Sequence, residues 1–401
     1  MLTADVLVVG AGPAGASAAI WLARAGRSVV VVDKAAFPRD KCCGDGLTTL
    51  ALRELEAIGL APHMVPNWKS VDEAWLRSPS GREVEVPLPG VGTFAATTPR
   101  VELDAALVHL AGASGASVHD GHALVAVRQF DDRIEADVHG LGAVTARYIV
   151  AADGMWSPTR KLLGAGEAGY LGEWHAFRQY ARGVTGPAAH RLYVWFEDDL
   201  LPGYAWSFPL PGGRANVGFG VLRNGVHSGG DMKHLWTDLW QRPHIATALG
   251  PGFEFEDRHT AWPIPAGIDR ATLTVGRTLF VGDAARASDY LTGEGIGQAV
   301  LTGRVAAEAI VRAGALQPAI ARHLYERSVR HHLLADHRLS VLISRGVANP
   351  AGPRGAVKGL QRSARARRIF ARWMFEDEPR AVLLTPTRWH RHLGRLPGPY
   401  R

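Results

Sequence analysis

The first forty residues alternate between continuous apolar runs and a helical pattern, which predicts a strand, a helix and a second strand. Residues 5–10, DVLVVG, form an apolar run of the buried-strand type, and residues 28–33, SVVVVD, form another. Between them, residues 16–26, ASAAIWLARAG, repeat apolar side chains at helical spacing and end on a glycine. Such a unit is typical of a parallel, Rossmann-type sheet.

Three glycines follow the first predicted strand at the spacing GxGxxG. Gly10 permits a tight turn, Gly12 lets a pyrophosphate approach backbone N–H groups at the helix N-terminus, and Gly15 allows close helix packing. Asp33 ends the second strand, where a carboxylate can accept hydrogen bonds from ribose hydroxyls. The glycines occur in the strand, turn and helix context that this chemistry needs, so the unit predicts a dinucleotide site.

Three later segments go beyond a plain nucleotide-binding domain. Residues 97–111 predict a turn into an amphipathic helix, and residues 148–164 predict a buried strand followed by a helix start. Residues 278–310 predict a strand, a glycine-rich loop and a long helix. Together with the first unit, these segments resemble the FAD-dependent oxidoreductases built like para-hydroxybenzoate hydroxylase. The resemblance implies an α/β fold in which a mixed β-sheet substrate domain interrupts a Rossmann-type FAD-binding domain, with a helical C-terminal region.

The same resemblance implies where FAD binds. Asp33 and Arg100 would hold the adenosine side, Asp283 the ribityl and pyrophosphate side, and the helix that starts near Gly293 would face the pyrimidine edge of the flavin. N–H groups at a helix start stabilise negative charge on a reduced flavin. The predicted FAD-binding set is Gly10, Gly12, Pro13, Ala14, Gly15, Asp33, Lys34, Cys43, Gly44, Arg100, Asp153, Gly282, Asp283, Gly293, Gly295 and Ile296.

The predicted domains are discontinuous. The FAD-binding domain comprises residues 1–75, 97–165 and 270–320, the substrate-binding domain comprises residues 76–96 and 166–269, and the helical, basic C-terminal region comprises residues 321–401.

Both cysteines of the chain stand side by side in FPRDKCCGDGL, residues 37–47. Adjacent cysteines would close a strained ring if they paired, and two thiols are too few for a thiolate zinc site, so we expect reduced thiols and no metal. This stretch and PGYAWSFPLPGGRANVGFGV, residues 202–221, resemble the geranylgeranyl reductase family. By that resemblance Cys43 occupies the family's cysteine position near the substrate side of the flavin, and Cys42 stands where the family usually has proline. Packing as small apolar side chains is the alternative for both.

The family resemblance implies hydride transfer from reduced FAD to an isolated carbon–carbon double bond of an isoprenoid chain, with a proton delivered to the other carbon. An unactivated alkene accepts hydride poorly, so the site must stabilise positive charge or supply a well-placed acid, and must exclude water. The candidates for this role are Cys43, Asp45, Tyr204, Asp289 and Tyr290. Because no second GxGxxG stands in a complete strand, turn and helix unit, NADPH or NADH would reduce the flavin from a shared surface, and a ferredoxin or a quinol stays open as the donor.

Tyr204, Trp206 and Phe208 alternate on a predicted strand and therefore share one face. That face either lines an apolar tunnel for a prenyl chain or packs on the core. The predicted substrate contacts are Trp206, Phe208, Gly46 and Leu47.

One departure from the family keeps other functions open. The family commonly has proline in the loop before GEGI, where this chain reads Asp289, Tyr290, Leu291, Thr292, and a tyrosine there favours a flavin monooxygenase of a natural product. A halogenase is a minor branch of that alternative, because a tyrosine stands where a halogenase has the first tryptophan of Trp-x-Trp-x-Ile-Pro. A flavin-binding or lipid-carrier protein without turnover is the third class.

The C-terminal region is the most basic part of the chain, whose formal net charge is +7. A helix is predicted at residues 322–346, a break at 349–355, and an arginine-bearing amphipathic helix at 356–379. A basic amphipathic helix can lie on an anionic membrane, or it can cap the FAD domain with a solvated face. Nucleic-acid binding would need a recognised fold as well as charge, and we expect none.

Composition limits the remaining classes. With 401 residues, 47% of them hydrophobic and 21% charged, the chain is long enough for two or three core-forming regions. No signal peptide and no apolar run of about 20 residues is found, so we expect a soluble, cytoplasmic protein with possible contact to a membrane surface. A monomer or a weak dimer is expected.

Overall fold

The computed structural model describes residues 2–223, 229–389 and 391–401. Its strands are β1 (Leu2–Val9), β2 (Val29–Asp33), β3 (Gly46–Leu47), β4 (Lys69–Val71), β5 (Glu73–Arg77), β6 (Glu83–Pro87), β7 (Ala95–Thr97), β8 (Ser117–Asp120), β9 (Leu124–Gln129), β10 (Ile134–Val138), β11 (Gly142–Ala151), β12 (Trp174–Arg182), β13 (Leu192–Trp195), β14 (Tyr204–Leu210), β15 (Arg214–Leu222), β16 (Glu254–Phe255), β17 (Thr260–Ile264), β18 (Thr274–Val275) and β19 (Thr278–Phe280). Its helices are α1 (Pro13–Arg24), α2 (Thr49–Ala57), α3 (Arg100–Ala113), α4 (Pro158–Leu162), α5 (Gly229–Leu239), α6 (Pro243–Leu249), α7 (Ile296–Ala313), α8 (Pro318–Val329), α9 (Ala335–Val347), α10 (Ala351–Arg362) and α11 (Ala364–Met374).

The first large sheet carries the predicted strand–helix–strand unit. Its strands run in the order β18-β19-β11-β1-β2-β8, and β1 pairs in parallel with both β2 and β11. The apolar runs of β1 and β2 are buried because helices cover the sheet, and α1 packs on α7. The parallel strands therefore end at one edge, where the loops after β1, β2 and β11 meet.

The second large sheet is mixed and comes from two separate parts of the chain. Its order is β16-β12-β15-β14-β13-β5-β6, with β17 beside β12 and a parallel pairing of β13 with β5. The predicted substrate-domain ranges 76–96 and 166–269 enclose these strands except for the first three residues of β5. The domain boundaries themselves stay a prediction. The strands β3, β7 and β4 form a third, small sheet in that order.

The last two C-terminal helices pack against the second sheet. Helices α8 and α9 are joined through a π-helical turn, Arg330–Leu334, and α10 and α11 pack on β6. Buried Val357, Leu360 and Phe375 share a core with Val84 and Val86 of that strand. Within the described residues, no helix is long and apolar enough to cross a membrane.

The predicted break at residues 349–355 is wrong in extent, because α10 already begins at Ala351. Pro353 lies in the first turn of this helix. The first four N–H groups of a helix have no partner within it, so proline removes no hydrogen bond there. The break is confined to the few residues before Ala351.

Candidate active site

A cavity of about 1380 Å³ lies where the two large sheets face each other. Its wall includes the glycine turn after β1, the cysteine loop at residues 39–48, one face of β14, the loop at residues 291–296, and parts of α9, α10 and α11. The cavity therefore joins the predicted dinucleotide site to the predicted substrate sheet.

The glycine turn has the shape that a pyrophosphate requires. Gly10 has φ +100°, and a Cβ there would lie 2.3 Å from the carbonyl oxygen of Ala152, so the turn needs glycine. A Cβ at Gly12 would meet only the Arg39 guanidinium, at 3.5 Å, so the space above the start of α1 is open. An anion placed there faces the unpaired N–H groups of the helix. The residues thus fit a bound dinucleotide.

Asp33 stabilises the glycine turn through hydrogen bonds with the backbone. Its carboxylate accepts hydrogen bonds from the N–H groups of Ala11 at 2.7 Å and Ala35 at 2.9 Å. It also lines the cavity, where it can accept a ribose hydroxyl. The aspartate therefore shapes the nucleotide site as well as facing it.

Arg100 lies in a buried charge pair beside this site. Its guanidinium makes two 2.7 Å hydrogen bonds to Asp104, and Arg39 reaches the same carboxylate at 3.0 Å. Arg39 and Arg100 both line the cavity. Asp104 thus orients two cations at the edge where the resemblance places the adenosine side.

The remaining residues of the predicted FAD set lie close by. Lys41 Nζ is 3.9 Å from the Asp283 carboxylate and 3.8 Å from the ring centroid of Trp262. The predicted FAD residues that line the cavity are Gly10, Gly12, Pro13, Ala14, Asp33, Lys34, Cys43, Gly44, Arg100, Asp153, Gly282, Asp283, Gly293, Gly295 and Ile296. Gly15 lies in the first turn of α1, where it is buried. Helix α7 begins at Ile296, three residues after the predicted start.

Both cysteines are free thiols on the cavity wall. Burial raises the pKa of Cys43 to about 11, so this thiol stays protonated at neutral pH, and it accepts a hydrogen bond from the N–H of Asp45. Burial also raises the pKa of Cys42, whose Sγ lies 3.7 Å from the carbonyl oxygen of Thr260. Neither cysteine is a thiolate nucleophile.

Asp45 is fully buried and anchors the cysteine loop. Its carboxylate accepts hydrogen bonds from the Tyr180 hydroxyl at 2.7 Å and the Asn216 amide at 2.8 Å, and burial raises its pKa to about 6. Asn216 also donates to the carbonyl oxygen of Cys43 and accepts from the indole N–H of Trp206. Asp45 is not among the described cavity-lining residues, so its predicted catalytic role stays a prediction.

The aromatic face of β14 points into the cavity. Tyr204, Trp206 and Phe208 follow one another with ring centroids about 6 Å apart, and all three line the wall with Gly46 and Leu47. A Cβ at Gly46 would lie 3.0 Å from the Phe208 ring, so the cysteine loop passes close over this face. The Tyr204 hydroxyl donates to the carbonyl oxygen of Thr292.

The side chains of Asp289 and Tyr290 make structural contacts with neighbouring residues of the protein. Asp289 accepts hydrogen bonds from Thr292 and from the Ser340 hydroxyl, and Arg380 lies 3.3 Å away. The Tyr290 ring packs edge-on against Trp174 and His337. Neither side chain is among the described cavity-lining residues, so their predicted catalytic roles gain no support.

Sequence reasoning missed several cavity residues. Thr48, Glu294 and Arg380 are polar, while the part of the wall built by the second sheet and the C-terminal helices is mostly apolar. Glu294 lies in the GEGI run, whose glycines were predicted to contact FAD. The missed apolar residues include Leu76, Leu192, Val194, Phe196, Ile343, Val347, Val357, Leu360, Phe370, Trp373 and Met374.

Comparisons with known proteins agree with this geometry. Residues 3–197 match the family described as FAD binding domain. The chain is 35% identical over 334 residues to menaquinone reductase of Mycobacterium tuberculosis, a match covering 76% of each protein. It is 30% identical over 318 residues to digeranylgeranylglycerophospholipid reductase 2 of Methanopyrus kandleri, covering 77% of each.

A solved structure shows the same fold. The geranylgeranyl bacteriochlorophyll reductase-like protein of Thermoplasma acidophilum matches with a TM-score of 0.78 at 22% identity, over 97% of this chain and 100% of that one. The predicted α/β fold class and the FAD-dependent oxidoreductase class are confirmed. The cavity with its glycine cradle, its cysteine loop and its aromatic strand, read with these relatives, places the chain in the geranylgeranyl reductase family of FAD-dependent oxidoreductases.

Proposed function

We propose that this protein reduces a carbon–carbon double bond of an isoprenoid chain. The observation that carries the proposal is one continuous cavity that runs from the glycine cradle to a mostly apolar wall made by the second sheet and the C-terminal helices. An apolar chain is favoured there by burial of its surface, at about 25 cal/mol per Å². The named relatives act on menaquinone and on a digeranylgeranyl lipid, which supports a prenyl-chain substrate.

The residues of the chain hold and shield the reacting bond. When it is bound and reduced, FAD supplies the hydride for this reaction. The aromatic face of β14, with Tyr204, Trp206 and Phe208, orients the chain beside the cysteine loop, and the apolar wall keeps water from the reacting carbons. The rings of this face can also stabilise positive charge that develops on carbon.

The monooxygenase alternative rested on Tyr290 at the reactive edge. That ring packs edge-on against Trp174, which lines the cavity, and against His337, and Tyr290 is not among the described cavity-lining residues. No specific observation therefore favours oxygenation over reduction.

The experiment that tests the function is anaerobic. The flavin of the purified holoenzyme is reduced with dithionite, prenyl quinones and geranylgeranyl lipids are added, and flavin reoxidation is followed together with product mass. We expect reoxidation with a product that has gained two hydrogen atoms. Reoxidation only after air is admitted, with a product that has gained oxygen, would show a monooxygenase instead.

A second part of the proposal concerns where the lipid enters. Exposed Lys358, Arg362, Arg365 and Arg368 lie on α10 and α11, and Ile369 beside them is 60% exposed. Other residues of these two helices line the cavity. We infer that this basic surface rests on an anionic bilayer, because lysine and arginine near such a surface each contribute about 1 kcal/mol and the lipid then has a short path into the cavity.

A further inference from the structure

Four charged side chains meet at the N-terminal end of α7. Asp289, Glu294, Glu376 and Arg380 form this carboxyl cluster, in which the one guanidinium pairs with Asp289 and Glu376, and Glu294 interacts with those two carboxyl groups. Arg380 lies 3.3 Å from Asp289 and 3.2 Å from Glu376, and the side chains of these three residues are less than a tenth exposed. Glu294 accepts a hydrogen bond from the N–H of Gly297 at 2.9 Å. The cluster has more carboxyl groups than its cation can neutralise.

A bound proton reduces the negative charge of these carboxyl groups. Burial and the nearby Glu376 raise the pKa of Glu294 to about 8. Burial and Asp289 raise the pKa of Glu376 to about 7, with Arg380 opposing. Although burial opposes it, Arg380 with Thr292 and Ser340 holds the pKa of Asp289 below its usual value. At neutral pH, Glu294 and Glu376 therefore hold a proton as a pair.

Glu294 is the member of this pair that borders the cavity. Glu376 is bound behind it by the Thr48 hydroxyl and the Gln298 amide, each at 3.1 Å. Glu376 belongs to the C-terminal region, so residues more than eighty positions apart share this proton.

The other acids at this part of the wall hold their protons more tightly. Cys43 and Tyr204 both face Glu294, and burial and its negative charge raise the pKa of each, that of Cys43 to about 11. The Tyr204 hydroxyl also donates its proton in a hydrogen bond to the carbonyl oxygen of Thr292. A general acid works best when its pKa lies near the working pH, which among these groups describes Glu294.

We propose that Glu294 is the acid that protonates the substrate carbon, and that Glu376 shares and restores its proton. The inference rests on the proposed function. In the reaction, one alkene carbon gains hydride from reduced FAD and the other gains the Glu294 proton, forming two C–H bonds at the expense of the π bond. After the reaction FAD is oxidised and Glu294 is a carboxylate. Glu294 then takes up a proton from water through Glu376.

The test replaces Glu294 by glutamine, which keeps the hydrogen bond from Gly297 but carries no acid proton. We expect anaerobic reoxidation of reduced Glu294→Gln holoenzyme by the prenyl substrate to be about 10²- to 10⁴-fold slower than wild type. The wild-type rate should be flat at low pH and fall about tenfold per pH unit above about 8, where Glu294 loses its proton. This alkaline limb should be absent from the variant.

Glu376→Gln is the second variant. It removes a negative neighbour, so the pKa of Glu294 should fall and the alkaline limb should move to lower pH. Glu54→Gln is the matched control, because Glu54 also contacts α7, through Arg304, and is not among the described cavity-lining residues. Its rate and pH profile should match wild type.

Infrared difference spectra give a readout that does not depend on turnover. Oxidised wild-type holoenzyme at pH 7 should show the carbonyl stretch of a protonated carboxylic acid that shifts in D₂O and is lost in Glu294→Gln. A wild-type rate in Glu294→Gln, or an alkaline limb that persists in it, would overturn the proton-donor role. Failure of the proposed function looks different, because wild-type enzyme itself would then not be reoxidised by any prenyl substrate.

Discussion

At the scale of single residues, buried polar groups set the shape of the cavity wall. Asn216 donates to the Cys43 carbonyl oxygen and the Asp45 carboxylate, both at 2.8 Å, and accepts from the Trp206 indole at 3.0 Å. Asn216 and Asp45 are fully buried, so water cannot replace a lost partner. A single amide therefore ties the cysteine loop to the aromatic strand.

Asn216→Leu is expected to lower the free energy of unfolding by about 1–3 kcal/mol, because it leaves buried donors and acceptors without partners. Urea unfolding of the holoenzyme measures this change. Gln361→Leu is the control, since its amide donates to the carbonyl oxygen of Glu83 at an exposed site. Equal losses in the two variants would contradict the role given to Asn216.

Gly12→Val should remove FAD without unfolding the protein. A Cβ at Gly12 meets only Arg39, at 3.5 Å, so the chain tolerates the side chain, which then fills the space predicted for the pyrophosphate. Flavin absorbance per protein measures the loss, and Asp33→Ala should give the same result. Gly112→Val is the control at another open glycine, and normal flavin content in both Gly12→Val and Asp33→Ala would refute the site.

At the scale of elements, α10 and α11 have two different faces. Val357 and Leu360 are buried against the second sheet and also line the cavity, and Phe370 and Met374 line it from α11. The exposed arginines of the same helices are Arg354, Arg362, Arg365 and Arg368. The two helices thus pack on β6 of the second sheet, where a cap on the FAD domain was the alternative, and their contact with a membrane stays a prediction.

Met374→Trp should shorten the chain that the cavity accepts. Met374 lines the cavity, so the larger tryptophan side chain would project into it. Steric overlap between this side chain and a long substrate costs about 1–3 kcal/mol. We expect KM to rise about tenfold or more for a long prenyl substrate and to change little for a short one. Ile369→Trp is the control, because Ile369 is exposed on the same helix, and an equal effect in both variants would contradict the cavity assignment.

At the scale of the whole molecule, the site exists only because distant parts of the chain meet. The cysteine loop follows β2, the aromatic strand belongs to the second sheet, and the apolar wall comes from α9 to α11. The exposed basic residues of α10 and α11 lie on the same two helices as part of this wall, so the membrane contact and the substrate entry that we propose would lie in one part of the molecule.

Binding to vesicles tests that arrangement. The holoenzyme should bind phosphatidylglycerol vesicles more tightly than phosphatidylcholine vesicles, and added salt should weaken the difference. Reversing Arg365 and Arg368 to glutamate should weaken binding by at least tenfold, at about 1 kcal/mol for each charge. The control reverses Arg128 and Arg147, which are exposed on β9 and β11. Equal loss in both double variants would contradict a specific surface.

The sequence by itself determined the local units and the nucleotide chemistry. The strand–helix–strand pattern and the spacing of Gly10, Gly12 and Asp33 are local, since backbone sterics and hydrophobic periodicity act within about thirty residues. The alternation of Tyr204, Trp206 and Phe208 likewise fixed one face of a strand. The family resemblance reached FAD and the reductase class through such local motifs.

Only the tertiary structure decided which side chains share the cavity. Asp289 and Tyr290 are adjacent to cavity residues in sequence, yet their side chains contact Arg380 and Trp174 and are not among the described residues that line the cavity. Glu294 meets Glu376 across some eighty residues, and burial, which no local pattern encodes, raises the pKa of both. The reason is physical: periodicity reports which face of an element is apolar, whereas desolvation and charge pairing depend on what the rest of the chain packs against it.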